Sequence, residues 1–206
     1  MKETDLAKHF IDYLSCYDLY FEVTALTGCV DIVAKSGNIM MAYEVKTVFN
    51  FKVIEQALRN KEAFHYSYVC VPYSKDMRFQ KKICLDYGIG VLVYRKYSRS
   101  MEEVVEGVPA KLNRKAVVKY NRLHEYQKRS IAGTASGERM TPFKITVENM
   151  VNYVRRHPGC KLKDMINEIS HHYSSDKGAI SNTYQWLRKG VITDIILENG
   201  KLKLRK

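Results

Sequence analysis

Residues 20–26, 30–35 and 39–48 are β-branched or apolar runs, and the breaks between them hold Thr27-Gly28 and Ser36-Gly37-Asn38. Runs of this length with Gly and Asn at the breaks read as three strands, the last two joined in a hairpin. Before them, Leu6, Ala7, Phe10, Ile11 and Leu14 recur at the spacing of an amphipathic helix. After them the period alternates: helical over 53–64, a short apolar strand over 65–72, helical over 75–87 and a strand over 89–94. The order α, β, β, β, α, β, α, β puts an antiparallel meander ahead of βαβ crossovers. That implies an α/β unit, a mixed sheet with helices on both faces, closing its core by about residue 106.

Charged residues interrupt the apolar strands at three places. Asp31 falls in the second strand, and Glu44 and Lys46 fall two apart on one face of the third. Unpaired charges in such strands are costly, which makes a shared purpose more economical than three separate ones. Hairpin pairing brings the three together. Two neighbouring carboxylates repel unless a cation lies between them, and hard oxygen donors suit Mg²⁺ or Mn²⁺. A lysine beside such a cation orients or deprotonates a water, or neutralises charge developing on a phosphate. This is equipment for phosphodiester hydrolysis.

Gly28-Cys29-Val30-Asp31 followed by Tyr43-Glu44-Val45-Lys46 resembles the PD-(D/E)XK nuclease superfamily over roughly residues 1–95. The resemblance implies a restriction-endonuclease-like fold. It also implies that Asp31 and Glu44 bind metal, that Val45 lends its backbone carbonyl, and that Lys46 assists the attacking water. Many members add a Glu on the opening helix and a Gln on the helix after the motif, which Glu3 and Gln56 match. Each has a second reading, Glu3 as a first-turn acid favouring the helix dipole and Gln56 as an exposed helix residue. The family's Pro before the Asp is replaced by Val30. Glu22 is read either as half of a surface salt bridge or as a group near the metal.

The second half of the chain is different in character. The formal charge of +12 arises after residue 106, where 20 Lys and Arg face 8 Asp and Glu; the first 106 residues are balanced. Residues 107–130 are basic and partly helical in pattern, with Lys111, Arg114, Lys115, Lys119, Arg122, Lys128 and Arg129, and 131–142 has linker composition. The expected organisation is a nuclease-like domain over 1–106, a basic helical connector and flexible linker over 107–143, and a third segment over 144–206.

That segment reads as three short helices, 146–156, 161–171 and 176–189, followed by a hairpin over 192–203 with Asn199-Gly200 at its turn. Three helices and a hairpin match a winged helix-turn-helix. Its third helix would hold itself in place with Ile180, Tyr184 and Leu187 and present Lys177, Ser181, Asn182, Gln185, Arg188 and Lys189 to DNA. Lys201, Lys203, Arg205 and Lys206 would meet phosphates from the wing. The bland alternative is a solubilising surface or a protein-docking module. The adjacent His171 and His172 point in different directions and make no metal site.

No apolar stretch reaches eighteen residues and no leader pattern opens the chain, so no membrane association and a soluble, cytoplasmic protein are expected. The five cysteines are too scattered for a zinc finger and read as reduced core thiols. Taken together the expectation is an Mg²⁺- or Mn²⁺-dependent DNA endonuclease delivered by a winged helix, acting in repair, restriction or phage DNA processing. The alternative is a non-catalytic DNA-binding or regulatory protein on a nuclease scaffold. A homodimer is compatible with double-strand cleavage by a one-site chain.

Overall fold

The computed structural model describes residues 1–26, 28–98, 101–118, 123–134 and 140–205. Two compact units divide the chain, Met1–Arg139 and Met140–Lys206.

The first unit is α/β. Helix α1 (Glu3–Tyr13) leads into strands β1 (Asp18–Ala25), β2 (Gly28–Ser36) and β3 (Ile39–Val45), then α2 (Phe51–Asn60), β4 (Tyr66–Pro72), α3 (Arg78–Tyr87), β5 (Gly90–Lys96) and β6 (Glu102–Val108). The six strands lie side by side in chain order. β1–β2–β3 is antiparallel, β3–β4–β5 is parallel, and β6 returns antiparallel to β5. The sheet is therefore mixed, as the change from turns to helical crossovers dictates.

Helices cover both faces. Leu6, Ala7 and Phe10 of α1 pack on Ile32, Tyr43, Val45, Cys70 and Leu92. Val53, Ile54 and Ala57 of α2 and Cys84 of α3 pack on the opposite face against Val69, Val71, Val91 and Val93. The alternation of Cys70 with Val69 and Val71 is the period-two pattern of a strand buried on both sides. Local signals set the ends of these elements. The Asn50 side chain accepts the Val53 N–H at 3.1 Å and starts α2. Gly88, at φ 67°, ends α3 in the left-handed region.

Two expectations need correction. β6 lies beyond the last strand expected at 89–94. It is an edge strand, Glu-Glu-Val-Val-Glu-Gly-Val, whose Glu102, Glu103 and Glu106 are exposed, so it lacks an apolar run. Acidic side chains on an edge also discourage pairing with another chain. Among the described residues the segment after it forms no α-helix. Lys111 N–H donates to Gly88 O (3.1 Å), Asn113 N–H to His65 O (2.8 Å) and Val117 N–H to Glu62 O (2.8 Å), so the backbone at these positions is bound to the first unit. One short 3-10 helix, Glu125–Arg129, follows against β1, with Lys128 Nζ 4.9 Å from the Tyr20 ring centre. Lys119 and Arg122 lie outside the described residues, as do Thr27 and Lys206.

The second unit contains α4 (Pro142–Arg156), α5 (Leu162–Glu168), α6 (Asp176–Arg188) and the hairpin β7 (Ile195–Glu198) and β8 (Lys201–Leu204). α4 begins four residues before the expected start because Thr141 accepts the Lys144 N–H (3.2 Å) and Pro142 occupies the first turn. Asn199 and Gly200 both have positive φ, 49° and 74°, as a two-residue I′ hairpin turn requires. Met150, Val154, Met165, Ile166, Ala179, Ile192, Ile195 and Leu202 form a separate core.

Tyr184 does not help to hold α6 as expected. It is 44% exposed, and Ala179 and Thr183 fill the buried positions. Of the cysteines, Cys70 and Cys84 are buried, whereas Cys16 is exposed and is no core thiol. Among the described residues no helix is long and apolar enough to cross a membrane.

Candidate active site

Register places three carboxylates in line. Phe21 lies opposite Ile32, and Ile32 opposite Tyr43. One step along, across the same three strands, stand Glu22, Asp31 and Glu44. All three are buried, with 6%, 9% and 2% of their surface exposed. A buried carboxylate needs donors or a cation, and the structure supplies several of these.

At the end of the β2–β3 ladder, Asp31 Oδ2 accepts the Val45 N–H at 2.8 Å. The side chain thus satisfies a strand donor at the point where the motif begins. The same oxygen accepts from Lys46 Nζ at 3.2 Å. Lys46 Nζ also donates to Glu3 Oε2 at 3.1 Å and folds back onto the Val45 carbonyl at 2.9 Å. One ammonium is therefore ringed by three oxygens, from Asp31, Glu3 and Val45. Burial acts to lower the Lys46 pKa, but Asp31 and Glu3 outweigh it and hold the amine above its ordinary value.

Glu44 has no such counter-charge in direct contact. The Asn60 amide, near the end of α2, donates to Glu44 Oε1 at 2.8 Å. Burial and then the neighbouring Asp31 push its carboxyl up to about 8, against the opposing effects of Asn60 and Lys46. Without a further cation, the environment favours the neutral acid form of Glu44.

Glu22, read from the sequence as half of a surface salt bridge or as a group near the metal, is buried. Its backbone is left-handed, φ 54°, which costs a residue with a side chain about 1–2 kcal/mol. Thr134 N–H donates to its Oε1 at 3.2 Å, and the Cys29 thiol reaches Oε2 at 3.5 Å. Beside Thr134, Gly133 (φ 72°) runs so close to α1 that a Cβ there would lie 3.3 Å from the Glu3 carbonyl carbon. The strap at 130–134 thus touches both Glu3 and Glu22.

The structure brings Glu3, Asp31, Val45 and Lys46 into direct contact. Glu44 is next to them in the strand register, whereas Gln56 is not joined to them by a hydrogen bond. Gln56 is one turn before Asn60 on the same face of α2, and its Oε1 is buried with no partner among the described residues. Asn60 is the site's addition to the sequence reading, and Glu22 takes the second of its two readings only in standing in the same row as Asp31 and Glu44. An Asn on a helix carries no spacing signal that could have identified Asn60.

The donor set fits a hard divalent ion. It offers carboxylate oxygens, one backbone carbonyl and the unpartnered Gln56 oxygen, with no thiolate or imidazole among them. Among the described residues no three His, Cys, Asp or Glu side chains are already grouped as a metal centre. Around Asp31 and Glu3 the central position is taken by the Lys46 ammonium.

In the second unit, Lys177, Ser181, Asn182, Gln185, Arg188 and Lys189 of and just after α6 are all exposed, as are Lys201, Lys203 and Arg205 of the hairpin. Lys203 is paired with Glu198 at 3.0 Å. Arg188 lies over the exposed Tyr184 ring, 5.8 Å from its centre. His171 and His172 have separate partners, Asp176 (3.1 Å) and Thr146 (2.8 Å).

No protein-family model matches this chain, and neither a curated protein nor a solved structure matches it.

Proposed function

We propose that the chain is a divalent-metal-dependent nuclease of the PD-(D/E)XK kind that hydrolyses DNA phosphodiester bonds, with a winged-helix second unit that grips DNA. The observation that carries this reading is the convergence of Asp31, Glu3 and the Val45 carbonyl on Lys46 Nζ, with Glu44 adjacent in the strand register. Such a nest of oxygens around one positive charge is costly as mere structure, because buried ions rarely repay their desolvation.

Asp31, Glu44 and the Val45 carbonyl would hold Mg²⁺ or Mn²⁺, with Glu3 at the margin. When bound, the ion supplies Lewis-acid charge stabilisation and water activation. Lys46 remains protonated beside Asp31 and Glu3 and donates to the phosphate oxygen on which negative charge develops. Asn60 keeps the Glu44 carboxylate aimed. Gln56 Oε1 would accept a hydrogen bond from the attacking water, or take a place beside the ion. In the second unit the polar outer side of α6 would enter the major groove and the β7–β8 hairpin would meet the backbone.

Cleavage of supercoiled plasmid, single-stranded circle and branched DNA with Mg²⁺ or Mn²⁺ tests the proposal. Product should form with the parent, vanish in EDTA, and fall at least a hundredfold in Lys46→Ala, about the loss of one transition-state donor. Equal cutting by parent and variant sinks the assigned site. DNA binding with no product under any divalent ion leaves a non-catalytic DNA-binding protein. Removing residues 144–206 should weaken duplex affinity; unchanged affinity assigns the second unit to a protein partner.

A further inference from the structure

A second feature lies at the same end of the sheet as the carboxylate row. β3, β4 and β5 run parallel, with Val45 opposite Cys70 and Cys70 opposite Leu92. Their C-terminal ends therefore share one edge. Just beyond that row, where Pro72 pairs with Tyr94, is a cleft of about 440 Å³ lined by Pro72, Tyr73, Tyr94, Arg95, Lys96 and Tyr97. Strand spacing and rise put it roughly 10–15 Å from Lys46.

Arg95 dominates the cleft. Its guanidinium carbon is 5.2 Å from the centre of the Tyr73 ring, and Nη1 is 3.5 Å from the Tyr97 hydroxyl. Its Nε is buried with no hydrogen-bond partner, and among the described residues no carboxylate stands within ion-pair distance of it. Glu103, across the ladder from Arg95, accepts instead from the Tyr97 hydroxyl. An unpartnered arginine nitrogen leaves Arg95 free to donate to an acceptor supplied from outside. The planar fork of a guanidinium suits a phosphate.

Flat apolar surface adjoins this anion site. Tyr73 and Tyr97 are 53% and 54% exposed, a high value for aromatic rings beside a cleft. Exposed aromatic rings beside a guanidinium are a means by which proteins take an unpaired base and its phosphate. Bases within a duplex are stacked on each other and offer no free face.

From this we infer that the Tyr73–Arg95–Tyr97 cleft is a subsite for an unpaired nucleotide of the substrate strand. This rests on the nuclease reading and sharpens it, since it selects DNA with a single-stranded stretch. The bound nucleotide would lie roughly two to four residues from the scissile phosphate, at about 3.4 Å or more per step. Lys96, which also pairs with Glu102 at 3.7 Å, adds charge at the rim.

The test uses the full chain with Ca²⁺ in place of Mg²⁺, a fluorescein-labelled single-stranded 12-mer carrying 5-iodouracil at successive positions, and a duplex of the same sequence. Irradiation should cross-link one or two neighbouring positions to Tyr73 or Tyr97, located by peptide mass spectrometry. Arg95→Ala and Tyr73→Leu should each weaken single-strand binding roughly five- to a hundredfold and leave duplex binding unchanged. Tyr73 is exposed and Arg95 partly so, and unchanged melting of the two variants shows that each has folded. Cross-links confined to other residues, or equal losses for duplex and single strand, overturn the inference. Cross-links at the cleft without cleavage of any substrate in Mg²⁺ would retire the catalytic reading and keep the subsite.

Discussion

Glu44 ties the state of the site to the stability of the chain. Its carboxyl is raised from 4.5 to about 8 by burial and by Asp31. A raised acid contributes stability that is fully present below its unfolded value and is lost as pH rises through its folded value. The metal-free chain should therefore lose stability between about pH 4.5 and 8, by up to a few kcal/mol. Glu44→Gln should flatten that decline, and Mn²⁺ should offset it in the parent alone. Melting curves across this range in EDTA check the sign; parallel curves for parent and variant would show that Glu44 is not responsible. Asn60→Ala removes the donor to Glu44 Oε1 and leaves a buried acceptor unmet. It should cost about 1–3 kcal/mol and weaken Mn²⁺ binding by roughly tenfold or more, as outer-shell partners do. Titration calorimetry measures the second effect.

Among the elements, strength of pattern decided what could be read. The meander β1–β2–β3 and the crossovers through α2 and α3 announce themselves by apolar period and by Gly and Asn at the turns. β6 does not, because an edge strand with Glu102, Glu103 and Glu106 at its surface has no buried alternation. Residues 107–134 stayed obscure for another reason. Lys111, Asn113 and Val117 are held by backbone hydrogen bonds to Gly88, His65 and Glu62, and such bonds leave no trace in side-chain period. The triad of Asp31, Glu44 and Lys46 was visible as charges in apolar strands. The place of Glu22 in the same row depended on register across two turns, which only the folded chain displays.

The strap at Gly133 offers a test at this scale. Gly133→Ala places a methyl group 3.3 Å from the Glu3 backbone at a left-handed position. It should destabilise the first unit by about 1–2 kcal/mol and disturb the Glu3–Lys46 contact. Denaturation by urea reads the first effect. A neutral result would mean that the strap yields freely.

At the scale of the whole molecule, the division of charge differs from the division of sequence. Met140–Lys206 carries 12 Lys and Arg against 6 Asp and Glu, and Met1–Arg139 carries 22 against 16, so each unit holds half of the +12. The excess that sequence halves assigned to the C-terminal end is shared because the basic segment after β6 belongs to the first unit. Residues 1–139 alone should therefore retain salt-sensitive DNA binding, with a smaller slope of log affinity against log salt than the full chain. The separate cores of the units allow the truncated form to fold. Absence of all binding by a folded 1–139 fragment would return the electrostatic role to the second unit.

The ammonium at the centre of the site gives the molecule an internal competitor. On the proposed reading, a metal ion arriving at Asp31 would compete with Lys46 for the oxygens it already holds, so loading would be an exchange of one cation for another. Affinity is lowered by whatever the resident contacts are worth. Lys46→Met should consequently take up Mn²⁺ more tightly than the parent while cutting nothing. In the parent, the same exchange would free the displaced amine beside the newly bound ion, so that occupancy and readiness to meet a phosphate would come in a single event.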